Sequence, residues 1–566
     1  MKCIIRSSDI EEFAKMSSIP GTVHLLDLQD SIQAKHASGN QNEIVLIPTP
    51  SDDPEDPLNW SRGRKLLSAF CVCVYTFMVG FTSAAIYSVL EPISNATDLS
   101  LGDLNAGTGY MFLLFGWGCL VWQPLASQYG KRPIYLLSIL VTGAIMVWAP
   151  YTKSDGQWIA NKILQGFFGA PIESLCEISM ADICFTHERG TAIAAYGLTL
   201  IGSSFLAPVI AGFIANSQGW QWVLYWCAIF CAIGFVFLFL FMEETNYHLR
   251  ATVGVEARED QLSQVESKFQ STKEGTNLGD HHLHHFPSPQ KTRISSSVVP
   301  QEQSSSRTTT LAKKLRLFQP GVFSHPNRIH RMMVRPLVFL SFPVIVFAGF
   351  SYGSSLVWFN ILNGTASLIL SSPPYNLSPS IVGVSYISPL LGAFIAAAYT
   401  GVFGSWFVIR MARWNKGIME PEHRLWLFMA SVLLVPFGLI LWGIGAEHHI
   451  HWFGLIFAMA IISISNVIGL QISVSYCIDS YPDLSSEAMV TVIIIRNTMS
   501  FAVNYGITPW VMNMGLQNAF LVAAFAGMAQ VLTFLIFVKW GRVLRARSAQ
   551  KYLEYSVEML DTGLAH

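Results

Sequence analysis

Charge is scarce in this chain. Of its 566 residues only 13% are charged, about half the share of an average soluble domain, and long windows contain no charged residue at all. Hydrophobic residues make up 52% of the chain, and the mean hydropathy is +0.42. The formal net charge is −1, so the chain does not have the excess of basic residues that is typical of nucleic-acid-binding proteins. The composition therefore indicates an integral membrane protein without a nucleic-acid partner.

Several sequence motifs are also missing. There is no GxxxxGK(S/T) phosphate-binding loop, which argues against an ATP-driven pump, and no HExxH zinc motif, so we expect no enzyme. No two cysteines form a CxxC pair, which leaves no disulfide framework and no metal site to predict, and we expect no cofactor. The first apolar run follows about sixty polar residues, so we expect no cleavable signal peptide.

Twelve apolar runs are long enough to cross a bilayer as helices. About 20 apolar residues span the hydrocarbon core, and these runs are continuous rather than alternating, which favours helices over barrel strands. The predicted fold is all-α: an integral membrane protein with twelve transmembrane helices in two six-helix bundles. The predicted spans cover residues 66–89, 106–126, 133–151, 158–180, 191–214, 220–242, 336–360, 381–403, 425–445, 453–477, 488–510 and 516–539.

Lysine and arginine mark the loops that we place in the cytosol. The segments before span one and after spans two, four, six, eight and twelve are basic, whereas the opposite loops contain one basic residue, Lys153. By the positive-inside rule both termini are cytosolic, although the loop between spans ten and eleven, with Asp479 and Asp483, departs from the pattern. The sequons at Asn95 and Asn363 fall in predicted outer loops and are candidate glycosylation sites.

A polar gap at residues 243–335 separates six spans from six. It is rich in Ser, Gln, Thr and His, and we predict a largely disordered cytosolic loop because it cannot bury enough apolar surface to order itself. Its histidine-rich residues 281–285 fit a solvated loop better than a metal site. The predicted order is an N-terminal tail, an N-terminal bundle, this loop, a C-terminal bundle and a C-terminal tail. Their bounds are 1–64, 65–242, 243–335, 336–540 and 541–566.

The turn between spans two and three carries a family signature. Residues 123–132 read QPLASQYGKR and resemble the major facilitator loop motif GxLaDrxGrk, with matches that include Gly130, Lys131 and Arg132. Ser127 stands where the family has an acid that helps to lock the two halves at the cytosolic face, so the resemblance implies a lock that is weaker or built elsewhere. Gly130 permits a tight turn, and the two cations hold it in the cytosol.

Further segments extend the resemblance over nearly the whole chain. Residues 162–166 (KILQG) resemble an RxxQG motif, and span five looks like a degenerate GxxxGPxxGG antiporter motif. More specific are DPLNWS before span one, EETNY after span six and ARWNKGIMEPEHRL after span eight. These are similar to the fungal drug:proton antiporter branch with twelve spans, and within it to the subgroup of a yeast histidinol and polyamine carrier. The resemblance implies alternating access, proton coupling and a conformational gate. The gate candidates are Gly130, Lys131, Arg132, Asp182, Glu188, Arg189, Gly202, Pro208 and Gly212.

Few charged residues lie inside the predicted spans, and each is a functional candidate because burying a charge in lipid costs at least about 2.5–3.5 kcal/mol. Glu173 and Glu177 share one face of span four, and paired carboxylates in a dry site suit a proton carrier. Arg496 lies in span eleven at a depth similar to that of Glu173, so the two could pair. Family precedent instead places span eleven behind the cavity, which would make Arg496 structural. Lys162 lies near the outer face, where its side chain could snorkel to the surface.

By analogy with the family, spans one, four, seven and ten line a central cavity. Aromatic side chains there could hold an organic cation through cation–π contacts, although Tyr87 and Trp358 also suit the aromatic belt at span ends. The proton and substrate candidates are Glu173, Glu177, Lys162, Arg496, Tyr352, Asn360, Asn466 and Gln471.

These observations favour a secondary transporter, expected as a monomer in the bilayer of the plasma membrane. Our first expectation is proton-coupled efflux of a small organic molecule such as a drug or secondary metabolite. Proton-coupled uptake of organic cations such as polyamines remains open. So does a membrane receptor that binds a nutrient without moving it.

Overall fold

The computed structural model describes residues 19–24, 56–184, 186–246, 329–415 and 418–561. Within these ranges eleven helical segments are long and apolar enough to cross a membrane. The fourth predicted span is absent from that set because two consecutive shorter helices form it. The prediction of an all-α integral membrane protein is confirmed.

The helices of the N-terminal half begin at capping residues that the sequence supplies. Ser61 accepts the backbone N–H of Arg64 at the start of the first span, and Ser100 and Asp103 form a reciprocal capping box at the start of the second. The helices of this half are α1 Arg62–Ala84, α2 Leu90–Ala96, α3 Leu101–Tyr129, α4 Lys131–Trp148, α5 Asp155–Gly169, α6 Pro171–Ile183, α7 Thr186–Gln218 and α8 Trp220–Phe241.

Span four is interrupted at Pro171. Proline has no backbone N–H and clashes with the preceding turn, so α5 ends at Gly169 and α6 begins at Pro171. The break places Glu173 in the first turn of α6. The positive end of a helix dipole stabilises a carboxylate in that turn, and interrupted helices in transporters often point such ends at the transport path.

The C-terminal half differs from the predicted boundaries in two places. Span seven is the helix Pro343–Ser371 rather than residues 336–360, because Pro343 starts the helix and the segment through Ser371 stays apolar. The last helix continues to Asp561, well into the predicted tail. The helices are α9 Ile329–Val338, α10 Pro343–Ser371, α11 Pro379–Ser385, α12 Ile387–Ala398, α13 Gly404–Trp414, α14 Met429–Glu447, α15 Trp452–Ser480, α16 Ser485–Met514, α17 Leu516–Leu532 and α18 Phe534–Asp561.

Both ends of the predicted central loop and part of the N-terminal tail have defined positions. Residues 243–246 pack beneath the N-terminal half, and α9 precedes span seven. Two short strands, β1 Val23–His24 and β2 Ile418–Met419, pair antiparallel. Most of the loop that we predicted to be disordered, residues 247–328 with the histidine-rich residues 281–285, lies outside the described residues.

The two halves pack along α3 with α16 and along α7 with α11. Close backbone approach makes the second contact possible. A Cβ on Gly212 would lie 2.3 Å from the carbonyl oxygen of Pro379, and one on Gly383 would lie 2.5 Å from that of Pro208. These contacts lie toward the predicted outer ends of the helices.

Candidate functional site

A cavity with an empty volume of about 880 Å³ lies between the two halves. Among the described residues, most of the lining comes from helices α1, α3, α6, α7, α10 and α15. Helix α16 contributes Arg496. Among its lining residues, the charged ones are Glu173 and Arg496. Predicted candidates that line the cavity are Tyr87, Glu173, Tyr352, Asn360, Asn466 and Arg496.

Glu173 and Arg496 form a salt bridge in the cavity wall. Their side chains are only 10% and 6% exposed, respectively, so little water screens their attraction. Glu173 belongs to the N-terminal half and Arg496 to the C-terminal half. The pairing that the sequence allowed is present, and Arg496 is the one residue of span eleven among the described residues that line the cavity.

Tyr352, in span seven, contacts the guanidinium of Arg496. The guanidinium carbon of Arg496 lies 4.6 Å from the centre of the Tyr352 ring, a cation–π distance. One terminal nitrogen of Arg496 donates to the Tyr352 hydroxyl, and the other lies 3.4 Å from Oδ1 of Asn497. Within the described ranges the Arg496 Nε has no hydrogen-bond partner. Two halves and three helices thus meet at one guanidinium.

Three asparagines present amide groups to the cavity. Asn360, Asn363 and Asn466 are buried in its wall, and each has one side-chain amide atom without a hydrogen-bond partner among the residues that the structure describes. Most buried polar atoms in folded proteins have partners, so these atoms suit contacts with a bound molecule. Asn363 was predicted to be a glycosylation site in an outer loop, and that prediction is wrong. It lies inside α10 and is 2% exposed, because span seven extends eleven residues further than expected.

Aromatic rings form much of the remaining wall. Tyr87, Phe112, Phe115, Phe205 and Phe359 line the cavity, and Phe205 packs edge-on against Phe359 at 5.4 Å between ring centres. These two phenylalanines come from opposite halves. Neither Tyr87 nor Trp358 lies in an interfacial belt, since both are 6% exposed in the protein interior.

Three predicted candidates lie elsewhere. Lys162 is fully buried rather than snorkelling: its Nζ donates to Oε1 of Gln165 at 2.8 Å and lies 4.7 Å from the Trp158 ring centre. Gln471 lies outside the cavity lining, and its side-chain oxygen accepts a hydrogen bond from the hydroxyl of Thr400. Thr400 belongs to a π-helical turn in span eight. Glu177 is half-buried on α6 and is not part of the lining.

The loop motif after span two is held by the segment that follows span six. Glu244 accepts the backbone N–H groups of Lys131 at 2.9 Å and Arg132 at 3.0 Å, which caps α4. Gly130 has φ +111°, and a Cβ there would lie 2.7 Å from Glu244 Oε2. Asn246 donates to the carbonyl of Ser127 at 2.8 Å. The carboxylate that organises this turn therefore comes from the EETN segment rather than from the motif itself.

Charged side chains of the same motif are also engaged. Lys131 pairs with Asp182 at the end of α6, and Arg132 donates to the carbonyl of Phe239 at 2.8 Å. These contacts lie within the N-terminal half. Glu188 and Arg189 lie in α7, but their side chains are outside the described part of the chain.

The small residues of span five have different surroundings. Gly212 and Pro208 lie in the tight contact with α11, whereas a Cβ on Gly202 would meet nothing within 4 Å. Close helix packing therefore explains Gly212 but not Gly202. Asn105 adds a second outer contact between the halves by donating to Thr508 at 3.0 Å and to the carbonyl of Gly364 at 3.3 Å.

Sequence reasoning missed Asn363, Asn105 and Glu244 as site residues. The apolar stretch beyond residue 360 was the available signal for Asn363, since it allows a longer span. Glu244 lies in the EETNY segment, but nothing in that segment indicates which helix it caps, and no local pattern distinguishes Asn105, because the partners of both residues are distant in sequence. Among the described residues, no group of three or more His, Cys, Asp or Glu is placed to hold a metal ion.

Comparison with known proteins places these features in a family. Residues 72–504 match the model of the Major Facilitator Superfamily. The chain is 27% identical to an uncharacterized MFS-type transporter of Schizosaccharomyces pombe over 95% of each chain. It is 25% identical to protein HOL1 of Saccharomyces cerevisiae, covering 96% of this chain and 98% of that one. The solved xylose transporter XylE from E. coli, in a partially occluded inward open conformation, superposes with a TM-score of 0.52 at 12% identity and covers 84% of this chain and 99% of its own.

Proposed function

The chain belongs to the major facilitator superfamily and is a secondary transporter of small molecules, and from that premise we propose that it couples substrate movement to a proton gradient through Glu173. The observation that carries this proposal is the salt bridge between Glu173 and Arg496 in the cavity wall. It is a titratable contact that joins the two halves.

A carboxylate in this position has three alternative partners: Arg496, a proton and a cationic group of a substrate. Protonation removes the charge of Glu173 and with it the attraction to Arg496, which releases one link between the halves. A proton and a cationic substrate cannot both neutralise the same carboxylate. Their competition couples the two movements in opposite directions, as in an antiporter.

The remaining wall suits a small amphipathic organic molecule. The asparagine amides offer hydrogen bonds, and the rings of Tyr87, Phe112 and Phe115 offer apolar contact and cation–π attraction. We propose export of such a molecule in exchange for protons as the physiological direction. Uptake of organic cations is the alternative, because Glu173 and the aromatic rings would hold a protonated amine that arrives from either side. Uptake driven by an inward proton gradient would require the proton and the amine to move together, and therefore a proton site other than the carboxylate that holds the amine.

Flux assays in sealed proteoliposomes test the proposal. Radiolabelled organic cations and drug-like compounds are followed with and without an imposed pH gradient, in both gradient directions. Accumulation that depends on the gradient supports proton coupling, and the gradient direction that drives it separates export from uptake. Saturable binding without flux would instead identify a receptor and overturn transport.

We also propose the plasma membrane as its location and the monomer as its functional unit. Imaging of a chain tagged at its C-terminus, together with the mass of the detergent-purified protein, tests both. An intracellular membrane or a stable dimer would contradict these proposals without affecting the transport mechanism.

A further inference from the structure

A short N-terminal segment is bound to the C-terminal half. Residues 19–24 read IPGTVH, and the chain continues from them into the first helix of the N-terminal half. In β1, Val23 lies opposite Met419 and His24 opposite Ile418 of β2, which follows span eight. The two strands form a two-stranded sheet of two residues each, so the segment is held partly through its backbone.

A buried arginine completes the attachment. Arg545 of α18 is 0% exposed, and its Nε and one terminal nitrogen donate to the carboxylate of Glu422 at 2.8 and 2.6 Å. Its other terminal nitrogen donates to the carbonyl of Pro20 and lies 3.4 Å from the Thr22 hydroxyl. A guanidinium can only donate hydrogen bonds. Glu422 accepts from two of the Arg545 nitrogens, and residues 20 and 22 of the segment supply oxygen atoms for the third.

The fit depends on a glycine. Gly21 has φ +79°, a conformation that L residues rarely adopt. A Cβ there would lie 2.4 Å from the carbonyl oxygen of Asp479 and 2.9 Å from the Cα of Ser480, at the end of α15. The preceding Pro20 is buried. The segment therefore packs directly against the backbone at the cytosolic end of span ten.

We propose that residues 19–24 are a docking peptide for the cytosolic face of the C-terminal half and stay bound throughout the transport cycle, as a strap between the tail and this half. Their contacts involve β2, Glu422, the end of α15 and α18, all within one half. Rocking of rigid halves leaves such a surface intact. In the sequence, 31 residues (25–55) separate the strap from the packed residues before α1, and a chain of that length can span on the order of 100 Å, enough for that motion without detachment.

A disulfide between the paired strands tests this directly. Facing residues of antiparallel strands have Cα separations compatible with a disulfide, so Val23→Cys is combined with Met419→Cys. A protease site is inserted between residues 247 and 328, and cleavage is first verified on a reducing gel. We expect the two fragments to stay joined without reductant and to separate with it. Each single cysteine variant serves as a control that cannot join them.

Transport by the oxidised protein decides whether the strap is constitutive. We expect the cross-linked double variant to move a radiolabelled organic cation at a rate within about twofold of its reduced form, a difference of about 0.4 kcal/mol in the activation barrier, because a strap that never detaches is not hindered by the cross-link. Absence of the cross-link overturns the docking. A cross-link that stops transport overturns permanent attachment and shows that the strap must detach.

Gly21→Ala tests the mode of docking. The added Cβ should reduce the rate of cross-linking in the double cysteine variant at least about fivefold and lower the melting temperature of the purified protein. Gly63→Ala is the matched control, because a Cβ there meets nothing within 4 Å. Unchanged cross-linking in Gly21→Ala would contradict the proposed fit. These readouts do not require proton coupling, so they are independent of the role of Glu173.

Discussion

Glu173 in span four and Arg496 in span eleven pair across the boundary between the two halves. The break at Pro171 places the acid at a helix N-terminus, and Tyr352 in span seven holds the guanidinium from the other side. A single ion pair therefore connects a titratable group, the cavity wall and the contact between halves. The protonation of Glu173 that we propose would remove this ion pair and so weaken the contact between the halves.

Glu173→Gln should abolish stimulation of transport by a pH gradient, because the amide keeps the shape of the side chain but cannot ionise. Removing one charge of a buried pair can destabilise a protein by about 3–5 kcal/mol, but the amide oxygen of Gln still accepts from Arg496, so we expect a smaller loss. The measurement is gradient-driven flux in proteoliposomes. Glu177→Gln, four residues away and outside the cavity lining, should retain the stimulation. Equal behaviour of the two variants would refute the assignment.

Asn360→Leu and Asn466→Leu should weaken substrate binding without destabilising the fold. Each asparagine has an amide atom without a partner, and an unsatisfied buried polar atom costs about 1–3 kcal/mol, so leucine should leave the melting temperature unchanged or raise it. Losing a hydrogen bond to substrate should raise KM about 2–10-fold. Asn504→Leu is the control: Asn504 donates to the carbonyl of Ser500 at 2.8 Å and does not line the cavity. It should lower stability and leave KM unchanged.

Asn105→Ala should favour opening of the outer side. The substitution removes hydrogen bonds to Thr508 and Gly364 across the two halves, which at about 0.5–1.5 kcal/mol each would shift the population at least about twofold. Labelling of a cysteine at Ser83, a cavity position, by an impermeant thiol reagent added outside measures the shift. Thr108→Ala removes only a bond within the same helix. Equal labelling rates for both variants and the parent would show that these contacts do not close the cavity.

Gly130→Ala should destabilise the turn between spans two and three. The new Cβ would lie 2.7 Å from Glu244 Oε2 in a backbone conformation with φ +111°, and such strain costs about 1–3 kcal/mol. Thermal unfolding of the purified protein measures the loss. Gly63→Ala, whose Cβ would meet no described atom within 4 Å in the first turn of α1, should unfold at the temperature of the parent protein or slightly above it, because alanine favours a helix more than glycine does. A melting temperature unchanged by Gly130→Ala would mean that the turn can adopt another conformation.

Glu244 should make stability pH-dependent. Burial raises the pKa of this carboxyl above its usual value, and the backbone N–H groups of Lys131, Arg132 and Asn246 lower it only in part. Because the folded protein binds this proton more tightly than the unfolded chain does, protonated Glu244 contributes to the free energy of unfolding at pH values below its unfolded-state pKa. That contribution is lost as the pH rises through the folded-state pKa. As pH rises above about 4, the ordinary range of a glutamate, the parent protein should therefore lose stability relative to Glu244→Gln.

Unfolding curves across this pH range test the prediction. The exposed Glu447→Gln variant should run parallel to the parent. A constant difference between the parent and Glu244→Gln at all pH values would remove Glu244 as the titrating group.

The spans, and Glu173 as an acid within one of them, followed from the sequence alone. Continuous apolar runs have to form helices in lipid because every backbone polar group must be satisfied, and an isolated charge stands out against such a background. The family signature at Gly130, Lys131 and Arg132 was likewise visible in the sequence, since it depends on neighbouring residues. Because these features depend only on residues that are close together in the chain, they can be identified from the amino-acid sequence.

Tertiary structure alone decided which distant residues meet. The partner of Glu173 is Arg496, the partner of Gly130 is Glu244, and Arg545 binds Pro20 near the opposite end of the chain. Each pair depends on how helices from different parts of the chain pack, and no periodicity records that packing. Asn363 shows the same limit: a difference of a few turns in one helix boundary moved it from a predicted outer loop into the cavity wall.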